Sequence, residues 1–554
     1  MILDGAERRV FRRPLRHISA DIAADVPAAL DAVARALDEG CFVAGWLGYE
    51  LGYALEPKLA QFGSGTPLLR LGVFESFDSA MEAPAGRAYA GPLMPQWDES
   101  AYAARFARVK DYIAAGDIYQ ANLSFRSHFP FLGDARALYE RLLGESGAGH
   151  CGFVDDGARQ VASLSPELFF DLTADGAITV QPMKGTAPRE GDDDAARARL
   201  AASDKNRAEN LMIVDLIRND LSRIAQPGSV AVSDLFKVET YPSLHTMVST
   251  VTARKRAGAG VSDILRALFP CGSITGAPKI RAMEILHDLE ISPRGPYCGA
   301  IGYFAPDGSA SFNVAIRTLT IADGQGELGI GGGVVQDSQS ASEYAECLLK
   351  ARFFEDARKP LELIETLRFE NGFVRLEAHL ARMQGSAVAL GLAFDPAAAR
   401  TALEAAVAGR NDAQRVRLSL DEAGIHRAAA QDLPSNPAHW TYTLSPDRTH
   451  SADALLRHKT NWRDLYDVVH PGDEIVFRNE RGEITEGARS NVFVKRDDVL
   501  LTPPLVSGVL PGILRAELLA SSRAREAILT PDDLDGEVYF GNSLRGLIRG
   551  HMRR

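Results

Sequence analysis

GAIGYFAPDGSASFNVAIRTLTI, residues 299–321, alternates apolar with small or polar residues in two runs that flank Pro306-Asp307-Gly308. A period of two sends successive side chains to opposite faces of a sheet, and Pro-Asp-Gly is turn chemistry, so the stretch reads as a β-hairpin. CFVAGWLGYE (41–50) and LFFDLTADGAITVQPM (168–183) read as strands for the same reason. Between them the apolar period changes to 3.6 in SAYAARFARVKDYIAAG (100–116), ASDKNRAENLMIVDLIRNDL (202–221) and SEYAECLLKARFFEDA (342–357), which predicts helices. The alanine-rich stretches 194–202 and 396–408 are good helix as well. The expected class is α+β.

Moving toward the C-terminus, Arg358-Lys359-Pro360 ends the helical pattern, because proline cannot continue a helix. A fresh strand, LELIETLRFENGFVRL (361–376), follows at once with a turn at Asn371-Gly372. Two domains are therefore expected: 1–358, with its core at about 95–358, and 361–554. No short-period repeat or low-complexity segment interrupts either one.

A chain of 554 residues is too long for one hydrophobic core, and its hydrophobic share of 46% supplies more than one. A net charge of −12 repels phosphate backbones, which argues against nucleic acid. Cys41, Cys151, Cys271, Cys298 and Cys347 lie scattered, with no CxxC spacing for zinc or a disulfide framework, as suits a reducing cytosol. No run of about 18 apolar residues and no apolar leader is visible, so the expectation is a cytoplasmic protein without membrane association.

Five segments of the first half carry chemistry: GDIYQANLS (116–124), SLSPELFF (163–170) with QPMKGTAPR (181–189), KNRAENLMIVDLIRNDLSRI (205–224), GSITGAPKIRAMEIL (272–286), and AIRTL (315–319) with GIGGGVVQDS (329–338) and SEYAECLLKA (342–351). Taken alone, Lys184 in PMKGT is by default a solvated lysine, and Glu343, Glu346 and Lys350 are a salt-bridged helix surface. In this order, however, the segments resemble the chorismate-utilising family, and within it the aminodeoxychorismate synthase large components.

The resemblance implies a chorismate-binding β-sandwich with flanking helices and a set of roles. Lys184 matches a lysine that attacks the chorismate ring and displaces the 4-hydroxyl, where anthranilate synthases have a small apolar residue. Glu167 matches the general acid and base. Gln120 stands where water-adding members carry a lysine base, which disfavours isochorismate or salicylate chemistry. Glu209 and Glu346 match magnesium ligands, and Glu343 would join through a water. Asn206 departs from the glutamate the family often has there, which weakens the expected metal site. Arg317, Lys350 and the amides of Gly331, Gly332 and Gly333 are assigned to the two carboxylates of chorismate, with His245 and Thr275 near the ring. GSITGAPK is not a phosphate loop, because its second glycine and lysine are wrongly spaced. No cysteine sits in a glycine-flanked elbow, so ammonia would come from a separate glutamine amidotransferase subunit or from free ammonium.

The second half carries LIETLRFENGFVRLEAHLARMQGSAVALG (363–391), HKTNWRDLYD (458–467), EITEGARSNVFV (483–494), SGVLPGILR (507–515) and FGNSLRGL (540–547). Together they resemble the fold-type IV pyridoxal-phosphate family, 4-amino-4-deoxychorismate lyases in particular, which implies an aminotransferase-like α/β domain. Lys459 matches the lysine that bonds covalently to pyridoxal 5'-phosphate and then moves a proton at the substrate's C4. Glu486 would pair with the pyridine nitrogen, and Arg382, Ser543 and the amides near Gly512 and Ile513 would hold the phosphate. Free-standing relatives carry an extra strand and a YGDG-like segment before LIET, so part of the substrate wall is expected from the first domain or from a second subunit, in a homodimer through the C-terminal domain.

The two halves converge, since the product implied by the first is the substrate implied by the second, with 4-aminobenzoate for folate synthesis as the outcome. Two alternatives stay open: an anthranilate-type synthase fused to a fold-type IV aminotransferase, or a synthase with a C-terminal docking scaffold that binds no cofactor.

Overall fold

The computed structural model describes all residues except Ala6, Ser64, Glu190, Gly191, 241–243, 468–471 and Arg554. The chain divides into two compact units, one comprising Met1–Glu82, Leu93–Phe129 and Tyr139–Ala357, the other Ala83–Pro92, Pro130–Leu138 and Arg358–Arg554.

The first unit is built on two large, mainly antiparallel sheets. The hairpin expected around Pro306 forms between Ala300–Phe304 and Ala310–Val314, with Ala300 opposite Val314. The apolar run does not continue in the same sheet. Ala315–Arg317 interrupt it, Arg317 takes a left-handed φ of 48°, and Thr318–Ala322 pairs in the other sheet with Gln160–Ser165 and Gln325–Val334. Alternation alone could not reveal that change of sheet, because both runs keep the same period. Trp46 and Ile301 from one sheet meet Val154 and Val161 from the other in a buried cluster, so the two sheets share an apolar interior.

Helices cover the flanks. Asp204–Ser222 starts where the Ser203 hydroxyl accepts the amide of Asn206, and it buries Ile213, Val214, Ile217 and Leu221 at the expected spacing. The run 342–357 forms two helical pieces, Ser340–Lys350 and Arg352–Asp356, divided at Ala351.

In the second unit a three-stranded sheet, Leu363–Phe369, Gln414–Leu420 and His426–Asp432, carries the helices Leu376–Leu390 and Pro396–Val407. An eight-stranded sheet follows in which the pairing Glu486↔Asn491 closes six strands into a ring. Closure removes exposed edges from those strands. Asn371 and Gly372 both have positive φ, as the tight turn after Phe369 requires.

The segment Ala83–Pro92 also belongs to this unit: Ala88–Ala90 pairs with Phe131–Gly133, and Tyr89 is fully buried in a cluster with Leu363, Leu367, Val416 and Trp462. Among the described residues no helix is long and apolar enough to cross a membrane, and the five cysteines are free and buried.

Candidate functional sites

A cavity of about 320 Å³ opens in the first unit, lined by Glu167, Lys184, Glu209, Arg317, Gly331, Gly333, Glu343, Glu346 and Lys350 among others. Strand ends and one helix face deliver these groups. Lys184 follows the bend after Ala177–Gln181, Glu167 precedes Leu168–Leu172, and Glu343, Glu346 and Lys350 recur at three- and four-residue spacing on Ser340–Lys350.

Lys184 donates to the carbonyl of Ser273 at 3.3 Å. Burial pushes its proton affinity below the ordinary lysine value, while Glu167 and Glu209 pull the other way. Glu167 is buried, and one carboxylate oxygen has no hydrogen-bond partner among the described residues. Desolvation raises its pKa to about 7 against the opposing pull of Ser273 and Lys184. A primary amine that loses its proton easily thus stands in one cavity with a carboxyl that keeps one easily.

The carboxylate side of the cavity is partly engaged. Ser338 donates to Glu343 at 2.7 Å, Lys350 lies 3.0 Å from Glu346 and donates to the carbonyl of Gly331 at 2.9 Å, and Lys205 lies 3.9 Å from Glu209. Burial raises the pKa of Glu209, and the charges of Glu343 and Glu346 add to the rise. Oxygen donors that repel one another suit a hard divalent cation. Among the described residues, though, no three His, Cys, Asp or Glu side chains converge to hold a metal ion, so substrate oxygens and water would have to complete the shell.

Arg317 has its proton affinity lowered by burial, as a guanidinium without a carboxylate against it would. Gly333 leaves room for Gln120 and Lys184: a Cβ there would sit 2.7 Å from Gln120 Nε2 and 3.7 Å from Lys184 Nζ. Gln120 is fully buried, and among the described residues neither of its amide atoms has a partner. Gly332 stands by Glu343 and Lys350 without lining the cavity.

His245 and Thr275 do not line it either. Both are fully buried and engaged elsewhere, His245 with Thr240 at 3.0 Å and Asp193 at 3.3 Å, Thr275 with the carbonyls of Cys271 and Gly272. Lys279 of GSITGAPK is tied to Asp220 at 2.5 Å and to the carbonyls of Leu268 and Pro270, a structural anchorage.

The second unit holds its own reactive amine. The carbonyl of Lys459 accepts the amide of Ile364 at 2.8 Å, and its ammonium donates to Thr366 Oγ1 at 3.4 Å. Burial lowers its pKa to about 8, with Glu365 opposing and Arg382, Arg463 and Arg415 adding to the fall. Glu486 is buried, accepts from the Leu510 amide and the Tyr466 hydroxyl at 2.9 Å each, and is pushed up to about 7 by desolvation.

Arg382 grips Glu365 with two nitrogens at 2.8 and 2.7 Å and donates to the carbonyl of Pro511 at 3.1 Å. Glu365 also meets His379 at 2.6 Å, and His379 meets Ser543 at 2.9 Å. Gly512 caps the helix Ile513–Ala520 in extended conformation with no side-chain cap, and a Cβ there would lie 1.8 Å from Asn491 Oδ1. Only glycine fits.

Several members of these arrangements were not singled out from sequence: Ser273, Lys205, Glu365, His379, Thr366 and Tyr466. His379 and Arg382 do share one face of their helix, a signal the HLAR spacing contains. The contribution of Arg87, which donates to Asp453 at 2.7 Å and to the carbonyl of Trp462 at 3.1 Å, had no local signal at all.

The family model for chorismate binding enzymes matches residues 73–356, and that for class IV aminotransferases matches residues 362–551. Aminodeoxychorismate synthase component 1 of Klebsiella aerogenes is 47% identical over 250 residues, which are 44% of this chain and 55% of that protein. The Escherichia coli K12 protein of the same name is 39% identical over 333 residues, 54% of this chain and 73% of that protein. The chain thus spans about half the length of the Klebsiella relative and more of the E. coli one. The crystal structure of anthranilate synthase component I from Streptococcus pneumoniae TIGR4 covers 64% of this chain and 92% of its own at 24% identity and a TM-score of 0.56, a likeness of fold.

A class IV aminotransferase fold implies pyridoxal phosphate, and the residues fit it: an amine near pKa 8, a buried carboxyl, and an uncapped helix N-terminus just after Pro511, to whose carbonyl Arg382 donates. With half of the sequence matched by one model and most of the remainder by another, this chain belongs to the chorismate binding enzymes and carries a class IV aminotransferase-type domain in the same polypeptide.

Proposed function

We propose that the chain is a bifunctional enzyme that converts chorismate and ammonia to 4-amino-4-deoxychorismate in the first unit and removes pyruvate in the second to give 4-aminobenzoate for folate synthesis. The observation that carries the reading is Lys184, an amine of lowered proton affinity in a cavity it shares with Glu167. An anthranilate-type reaction has no use for such a lysine. We assign the synthase to residues 1–358 and the lyase to 361–554, the latter completed by Ala83–Pro92 and Pro130–Leu138.

In the first reaction the lone pair of Lys184 Nζ bonds to the ring as the C4–O bond breaks, and Glu167 supplies the proton with which the oxygen leaves as water. Ammonia then bonds at C4, the bond to lysine breaks, and the amine is returned. Arg317 and Lys350, with the amides around Gly331, Gly332 and Gly333, hold the carboxylates. His245 and Thr275 act from behind the cavity wall, since their polar atoms are committed within the protein. Mg2+ would be held by Glu209 and Glu346, with Glu343 through water, and would neutralise substrate carboxylate charge.

In the second reaction pyridoxal phosphate, when bound, supplies an electron sink for the carbon that loses a proton. Lys459 takes that proton from C4, Glu486 keeps the pyridine nitrogen protonated, and Arg382, Ser543 and the Gly512 and Ile513 amides hold the phosphate. Loss of the C4 proton and the enolpyruvyl group aromatises the ring. A separate glutamine amidotransferase subunit is the proposed ammonia source, a homodimer through the C-terminal domain the proposed assembly, and the cytoplasm the proposed location.

The test is to supply the purified chain with chorismate, Mg2+, ammonium and pyridoxal phosphate. 4-Aminobenzoate and pyruvate should appear together, Lys184→Ala should lose both, and Lys459→Ala should accumulate the aminated intermediate. Anthranilate as product, or undiminished 4-amination by Lys184→Ala, would refute the reading.

A further inference from the structure

Lys459 sits in a stretch with little regular structure of its own. Ahead of it is one short turn, Ala454–Arg457, begun by Asp453, whose carboxylate accepts the Leu455 amide at 2.9 Å. Beside it, the Lys459 carbonyl accepts the Ile364 amide at 2.8 Å and the Asn461 amide donates to the Glu362 carbonyl at 2.9 Å. These two bonds hold the middle of the stretch against a strand edge and leave its ends to side chains.

One guanidinium reaches both ends. Arg87 Nε donates to Asp453 Oδ2 at 2.7 Å, and Arg87 Nη1 donates to the carbonyl of Trp462 at 3.1 Å. Those two residues bracket Lys459 in the sequence. Asp453 is buried, so its charge depends on this partner. A planar fork serves two acceptors at once, which an ammonium on a flexible stem does not.

Arg87 is itself held in place. The Asp134 amide donates to the Arg87 carbonyl at 3.0 Å, and Asp134 Oδ2 accepts the Ala85 amide at 3.0 Å. Gly133, opposite Ala88, has a φ of 112°, and a Cβ there would lie 2.1 Å from the Arg87 carbonyl oxygen, so glycine is required for the approach. Arg87 and Tyr89 are two residues apart and share a side of the strand, and the buried Tyr89 ring lies 6.2 Å from that of Trp462. The segment Ala83–Pro92 thus presents a cation and a ring to the stretch that carries the reactive amine.

We infer that Arg87 is a positioning residue of the lyase site: by bridging Asp453 and Trp462 it fixes the stretch between them, and so keeps the Lys459 amine beside Thr366 and out of bulk water. The inference rests on the assignment of Lys459 as the lysine that takes the cofactor. It makes the second reaction depend on a side chain that lies in the first half of the sequence.

Arg87→Gln, Arg87→Lys and Asp453→Asn in the full-length chain test this. Asparagine at 453 still caps the Leu455 amide but gives up the charge that Arg87 meets. The first readout, on the cofactor-free chain, is the pH profile of pyridoxal phosphate capture at Lys459, trapped with borohydride and located by peptide mass spectrometry. The parent's midpoint should lie near 8. It should rise by about one unit or more in Arg87→Gln and Asp453→Asn as the amine regains water, and Arg87→Lys should recover part of the difference. Amides of Leu363–Phe369 should exchange faster in Arg87→Gln while those of Leu376–Leu390 keep the parent's protection. In the loaded chain, kcat for pyruvate release from 4-amino-4-deoxychorismate should fall about tenfold with KM little changed.

An unchanged midpoint in Arg87→Gln and Asp453→Asn would overturn the proposal. So would lost protection across the whole unit in both, since Arg87 would then hold the fold and not the amine. If Arg87→Gln alone unfolds, the midpoint in Asp453→Asn decides. Capture at a lysine other than 459 in the parent would refute the cofactor assignment instead, and exchange at Leu363–Phe369 would still decide whether Arg87 holds the stretch.

Discussion

Replacing Lys459 by methionine should stabilise the cofactor-free second unit, although it removes the residue on which the proposed lyase depends. Methionine has a similar unbranched shape without the charge. Burial holds the Lys459 pKa near 8 against an ordinary 10.5, so the folded unit binds this proton less readily than the unfolded chain does. The gap corresponds to a cost of about 3 kcal/mol in the folded state. Below pH 8 both forms are protonated and the full cost is present; between 8 and 10.5 only the unfolded amine keeps its proton and the cost fades; above 10.5 both are neutral and it is gone.

The donation to Thr366 that the substitution forfeits is long, at 3.4 Å, and offsets little of this. Hydrogen exchange read on peptides covering Leu363–Phe369 is the assay, because the Ile364 amide is bonded to the Lys459 carbonyl and reports opening of this unit alone. Protection should rise roughly a hundredfold at pH 7 in the methionine variant, and the advantage should shrink to about 2 kcal/mol by pH 9. Equal or lower protection at pH 7 would mean that the amine is well solvated, and the case for Lys459 as a desolvated base would collapse with it.

Two further outcomes follow from the same physics. Glu365→Gln should loosen Leu376–Leu390 by about 3 kcal/mol at neutral pH, because it leaves the largely buried Arg382 unpaired. Arg382 and His379 hold the Glu365 pKa near 2 despite its burial, so the parent's advantage is present above an ordinary 4.5 and is lost as pH falls toward 2; hydrogen exchange showing no difference at pH 7 would refute it. In the first unit, kcat/KM for amination at fixed free ammonia should fall about tenfold per pH unit above the Glu167 pKa of about 7, and Glu167→Gln should erase that limb, whereas a flat parent profile would remove Glu167 from the acid's role.

Much of this was readable before any coordinates. The hairpin around Pro306, the helix 204–222 and the turn at Asn371-Gly372 declare themselves through period and turn chemistry, which are local properties. The change of sheet at Arg317 does not, since two strands of equal period look alike until their partners are known. The inclusion of Ala83–Pro92 in the second unit is less legible still. Tyr89 meets Trp462 across a sequence gap that no pattern in AYA reports. Motif spacing likewise names Lys184 with Glu167, and Lys459, but not Glu365 that stands with Lys459, and it does not tell that His245 and Thr275 are turned to internal partners.

What Glu167 and Glu365 do explains why the two amines need different surroundings. In the first cavity desolvation acts on Lys184 and Glu167 in opposite directions, lowering the amine and lifting the acid to about 7. Burial of an ion pair favours the neutral pair when few other groups solvate it. Both shifts run toward the form the proposed displacement starts from, a lone pair on Lys184 and a proton on Glu167. At Lys459 the nearest carboxylate, Glu365, is held ionised by Arg382 and His379 and cannot take the proton. There burial does most of the lowering and the surrounding arginines add to it, so the amine can lose its proton outward to solvent or substrate. An amine that must start as a nucleophile beside an acid, and one that must cycle as a base, thus differ in whether the neighbouring carboxyl is left free or locked.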